Sequence, residues 1–147
     1  MAITINGSGT VTGISVGGLP DGIVDADMLA ANAVTEAKLG TDQQQGLAKS
    51  WINFNGTGTV AIRDSFNVSS ITDNGTGDYT INFTSAFANA NYVVTGTSGG
   101  QSSTSNGGVY QYDQGTAKTT SACRIITITT SGNNTDPPQI AVAFFGD

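Results

Sequence analysis

Mainly β is the fold class this sequence predicts. A C-terminal antiparallel β-sandwich is expected over residues 50–147, preceded by a short stalk with one or two helical turns (21–49) and N-terminal anchoring strands (1–20). Three observations predict it. Charged residues make up 11% of the 147, against roughly a quarter in an ordinary soluble domain, and Thr, Ser, Asn and 20 Gly take their place. Such a mixture suits strands joined by tight turns. Period-two alternation recurs after residue 50: Tyr79, Ile81 and Phe83 face one way, Thr80, Asn82 and Thr84 the other. The stretch "GIVDADMLAANAVTEAKLG" (22–40) repeats a thin apolar unit every ten residues, a spacing that belongs neither to a strand nor cleanly to a helix.

Residues 1–20 place Ile3, Ile5, Val11, Ile14 and Val16 between Gly and Thr, broken by Asn6-Gly7 and Gly17-Gly18. This reads as one or two short strands. No local partner is large enough to make them a stable sheet, so they are expected to pair with another chain, with Ile3, Ile5 and Val11 as the anchor. In residues 21–49, Val24–Leu29 is echoed by Val34–Leu39. One reading is a flexible linker with a helical turn or two, capped at Asp21, Asp25 or Thr41. The other is a stalk in which each repeat is one layer, and several copies around an axis bury what a single copy cannot. Val24, Met28, Leu29, Val34 and Leu39 would then line the interface, with Trp51 locking stalk to domain.

Eight strands are expected in the remainder: 51–55, 59–62, 66–71, 78–84, 91–97, 108–113, 123–130 and 139–145. Turn chemistry separates them at Asn55-Gly56-Thr57-Gly58, Asp73-Asn74-Gly75 and Ser98-Gly99-Gly100, all able to take positive φ. Ile140, Val142 and Phe144 form a clean apolar stripe opposite Ala141 and Ala143. Spacing of about ten residues between short strands indicates a sandwich.

The net charge of −6 is evenly spread, with five acids and two bases in the first fifty residues and six acids and three bases after them. No basic patch is available for phosphates or anionic lipid, so neither nucleic acid nor membrane is an expected partner. The opening "MAITINGSGT" lacks the basic and apolar regions of an export signal, and no run approaches a membrane span. The protein is therefore expected to be made and kept in soluble form. His is absent, which removes triads, imidazole–zinc sites and imidazole acid–base work. Cys123 stands alone and reads as a small core residue. Asp73 and Asp78 flank one turn, five residues apart, and are read as turn chemistry rather than a glycosidase pair. The acids at 21, 25 and 27 lack calcium-loop grammar. No enzyme, cofactor or metal is expected.

The run "WINFNGTGTVAIRDSFNVSSITDNGTGDYTINFTSAFANANYVV" resembles the C-terminal domain of fibre-type structural proteins of tailed bacteriophages, especially those of marine and cyanobacterial hosts. "LPDGIVDADMLAANAVTEAKLG" is similar to the stalk repeats of phage tail fibres, where Ala-Val-Thr-x-Ala-Lys-Leu units recur. Together the two cover residues 19 to about 94. The resemblance implies a homotrimer, made in the host cytoplasm and mounted on the virion by its N-terminus against tail, adaptor or capsid proteins, with the β-domain exposed. Only two stalk repeats are present, which fits a short fibre contacting the host surface; a capsid decoration, cement or head-fibre protein without a receptor role is the alternative. For surface contact, the loop "SGGQSSTSNGG" (98–108) carries neither charge nor apolar side chains. Gln101, Asn106 and Tyr110 supply the amides and the stacking face that a neutral glycan demands. Tyr110 and Tyr112 share one face of a strand, which leaves core and surface roles both open.

Overall fold

The computed structural model describes residues 4–5, 11–12, 29, 31, 33–100, 108–111 and 118–146. They fall into two compact units, 1–40 and 41–147. In the first, β1 (Thr4–Ile5) and β2 (Val11–Thr12) pair antiparallel with each other, Ile5 opposite Val11. Sequence reasoning had assigned these strands to another chain. A single 3-10 turn follows at Glu36–Lys38, closed by the Lys38 amide on the Thr35 carbonyl at 2.9 Å.

The second unit opens with α1 (Thr41–Gly46) and then runs through eight strands. They are β3 (Ala48–Asn55), β4 (Ala61–Phe66), β5 (Val68–Gly75), β6 (Asp78–Phe83), β7 (Val93–Gly99), β8 (Gly108–Gln111), β9 (Ala122–Ile128) and β10 (Gln139–Phe145). All belong to one antiparallel sheet in the order β4-β3-β10-β7-β8-β9-β6-β5. The expected mainly-β antiparallel domain is present, its one sheet curled until it is nearly a barrel or sandwich. The reason lies in the chain itself. Among the described residues β4 and β5 are the two edges, and they are consecutive, joined by the single residue Asn67.

Asn67 carries a positive φ of 56°, a conformation that Asn tolerates better than other side chains bearing a Cβ. Its amide nitrogen donates to the carbonyls of Lys49 and Ser85, each at 3.1 Å, and its side-chain oxygen accepts from the Ser85 amide at 2.7 Å. The buried Ser50 hydroxyl donates to the Phe66 carbonyl at 3.1 Å. One corner thus ties the start of β3, both edge strands and the link after β6.

Alternation does the rest. The buried positions of β6, β9 and β10 recur at every second residue. They point Tyr79, Ile81 and Phe83, then Cys123, Ile125 and Thr127, then Ile140, Val142 and Phe144, into one core with Ile52 and Phe54 of β3. Phe83, Phe87, Tyr92 and Phe144 cluster near the chain entry, with ring centroids 4.4–6.0 Å apart. Three of these pairs meet edge-on and two are tilted, and such aromatic contacts add roughly 0.5–1.5 kcal/mol per pair to the area they bury. At the opposite end Phe54 meets Tyr79 edge-on at 5.1 Å. There the Asp136 carboxylate accepts the Tyr79 hydroxyl and the Gly77 amide, both at 2.6 Å. Burial, then Asp136, pushes the Tyr79 hydroxyl far above the ordinary tyrosine range.

Several boundaries move. The turn expected at 73–75 sits two residues later, at Thr76-Gly77, because β5 continues pairing to Gly75. Gly77, with φ 66°, fits only without a side chain: a Cβ there would lie 2.6 Å from the Thr127 carbonyl oxygen. β4 begins at Ala61 and runs to Phe66, further than expected, past a bulge opposite Asn53 and Phe54. The expected strand at 91–97 begins two residues later, where Tyr92 has already turned its ring into the core. The end of the expected 108–113 strand lies outside the described residues.

Replacement of Asn67 separates its two roles. Asn67→Gly keeps the backbone conformation and loses the side-chain bonds, and is expected to cost about 1–3 kcal/mol in urea unfolding. Asn67→Ala also incurs the left-handed conformation and should cost about 1 kcal/mol more. Equal midpoints for the two variants would show that the backbone conformation contributes nothing.

Candidate functional site

The side chains with no work inside the fold are those facing outward. Leu29 is 45% and Val34 54% exposed, while Leu39 is half-buried. Val24, Met28, Ile3, Gln101, Asn106 and Tyr112 lie outside the described residues. For the anchor, Ile5 and Val11 are placed opposite each other in the β1–β2 pair. Tyr110 stands on the outer face of β8, 52% exposed, which answers the open choice in favour of the surface. Its ring lies back over Gly108, where an added Cβ would come within 2.5 Å of Cε2. Register places that end of β8 beside the end of β7 and the start of β10, opposite the end at which the chain enters at Ala48. The 98–108 connection therefore springs from the far end of the domain.

Asp73 and Asp78, the two acids that flank the β5–β6 turn, are both hydrogen-bonded within the fold. Asp73 accepts the Gly75 amide at 2.9 Å. Asp78 takes a two-pronged contact from Arg124 at 2.7 and 2.5 Å. That hydrogen-bonded guanidinium, helped by Asn74, holds the Asp78 carboxyl below the usual carboxylate range. Beside it on the outer face, Asn82 donates to the hydroxyls of Ser70 and Thr72, and Asn74 to that of Thr80. Cys123 is fully buried, and burial pushes its thiol up to about 11. A neutral buried thiol is a poor nucleophile. Among the described residues no three His, Cys, Asp or Glu side chains come together.

Trp51 is 36% exposed on the outer face of β3. Its cross-strand neighbours are Phe66 of β4, which is 54% exposed, and Ala143 of β10. Because β10 puts Ala141 and Ala143 outward between larger residues on β3 and β7, the sheet is indented there. The result is an open groove of about 420 Å³ lined by Trp51, Asn53, Thr95, Thr97 and the two alanines. Such a volume is within the range of small-molecule sites, roughly 300–1,000 Å³. The Asn53 side-chain oxygen is buried and has no hydrogen-bond partner among the described residues. Of the groove, sequence reasoning found Trp51 and the Ala141/Ala143 alternation. It missed Asn53, Thr95 and Thr97, because β3, β7 and β10 are neighbours only through long-range pairing.

Comparison with known proteins adds no identity: no family model, curated protein or solved structure matches the chain.

The Asp78–Arg124 pair makes a pH prediction. A carboxyl whose folded pKa is depressed contributes stability above its unfolded value near 3.8, and loses it as pH falls through the folded value. Arg124 is partly solvated, so the contribution is set at about 1 kcal/mol. Arg124→Ala should be less stable than the parent by that amount at pH 7, and the gap should close as pH drops below about 4. A gap that stays constant from pH 7 to pH 2, read by denaturant titration, would assign the loss to packing instead.

Proposed function

We propose that this protein is a non-enzymatic structural component of a tailed-phage virion. In this reading it forms a short homotrimeric fibre, attached through its N-terminal strands, whose β-domain meets the host surface. One observation carries it: Leu29, which closes one copy of the ten-residue repeat, and Val34, which opens the next, are about half exposed in the single chain. A repeat that leaves its own apolar residues uncovered acquires a core when copies come together. Val24, Met28 and Leu39 extend the same interface. The resemblance of 19–94 to fibre proteins supplies the trimer and the virion setting. Surface contact is assigned to Tyr110, exposed on β8, with Gln101 and Asn106, residue types whose uncharged groups suit a neutral glycan. Three weak sites on one axis would act together through avidity.

Light scattering at micromolar concentration should return three chains per particle. Leu29→Asp combined with Val34→Asp should give a monomer that keeps its β-type circular dichroism. A wild-type monomer, or a trimer indifferent to both substitutions, overturns the stalk assignment. In the virion, the triple replacement of Gln101, Asn106 and Tyr110 by Ala should slow adsorption while particles still carry the protein. Unchanged adsorption would transfer the reading to capsid decoration.

A further inference from the structure

We propose that the outer groove beside Trp51 is a saccharide site that takes one face of a neutral pyranose. The site is a small grid. Trp51, Ala143 and Thr95 form one cross-strand row, and Asn53, Ala141 and Thr97 the next. β3 and β7 are separated by β10 alone, so the walls stand roughly 9–10 Å apart, with two methyl groups as the floor.

Each part excludes other occupants. Across the groove β10 is paired with both neighbours and β3 with β10 and β4, so neither offers a backbone edge for an added peptide strand. Among the described residues no cation lines the groove, which disfavours phosphate or carboxylate ligands. A purely apolar ligand would cover the exposed hydroxyls of Thr95 and Thr97 without giving them hydrogen bonds. A pyranose has both natures required. Its C–H face lies on Trp51 and the alanine floor, and its peripheral hydroxyls reach Thr95, Thr97 and Asn53. Aromatic surface joined to a few placed hydrogen-bonding groups is the composition of small-ligand sites in general. The inference holds whether or not the chain is mounted on a virion.

Trp51 is the only tryptophan of the chain, so the site carries its own reporter. The full-length protein is titrated with the methyl glycosides of glucose, galactose, mannose and N-acetylglucosamine, and its tryptophan emission is followed. At least one should give a saturable change with half-saturation on the order of 1 mM. Ala141→Leu fills the floor and should abolish the response. Thr97→Val, nearly isosteric and outward-facing, should weaken it about 3- to 10-fold. Neither should alter the particle size in light scattering. A flat titration with all four sugars overturns the proposal, as does a response that survives both substitutions. A change of oligomeric size in Ala141→Leu would instead seat a second copy of the chain in the groove, and equally overturns it.

Discussion

A sheet whose two edges are consecutive in the chain has to close on itself, and the Asn67 corner is where it does. β4 and β5 lie at opposite ends of the strand order yet are one residue apart. Whatever curvature the other six strands adopt must bring those edges together at that residue. Ordinary sheets leave such edges to solvent, with the attendant hazard of pairing with other molecules. Here the seam is held by the Asn67 side chain and the Ser50 hydroxyl rather than by a ladder. The interior exists because this seam exists, since the residues of β3 and β6 that share the core lie toward opposite ends of the sheet.

The far end of the domain is organised by a different device. The segment Asp136–Pro138 is fastened from three directions. Tyr79 and Gly77 donate to the Asp136 carboxylate, Gly56 donates to the Pro137 carbonyl at 3.0 Å, and Arg63 donates to the Pro138 carbonyl at 2.5 Å. Gly56 is required there, because a Cβ would fall 2.5 Å from the Tyr79 hydroxyl. A chain so poor in charge can hold its shape because hydroxyls and amides meet partners within the sheet. The Ser70, Thr72, Thr80 and Asn82 ladder shows the same economy on the outer face.

The sequence disclosed what depends on short-range order and concealed what depends on closure. Residues 78–83 and 139–145 alternate so cleanly that both strand and buried face were readable, and Cys123 was rightly placed in the core. Asn67 read as the second residue of an expected strand, 66–71, since nothing local distinguishes an Asn at a corner from an Asn on a pleat. The turn after β5 was placed early because Asp73-Asn74-Gly75 has turn chemistry, whereas the chain turns at the following glycine, Gly77. The groove was half visible. Periodicity says that Ala141 and Ala143 face away from the core, but not that Trp51 and Thr95 stand on either side of Ala143.

The last of the eight strands in chain order, β10, lies between the first, β3, and a middle one, β7. A high contact order follows, and with it slow folding. The β5–β6 pair can form as soon as its own residues are made, but the sheet has no continuous middle until β10 arrives. Until then β3 and β7 each present an unpaired edge, and the chain is at its most prone to stick to others. Loss of a few residues at β10 would therefore remove the keystone rather than trim a border, and the damage would reach Ile52, Phe54 and Val94 at once.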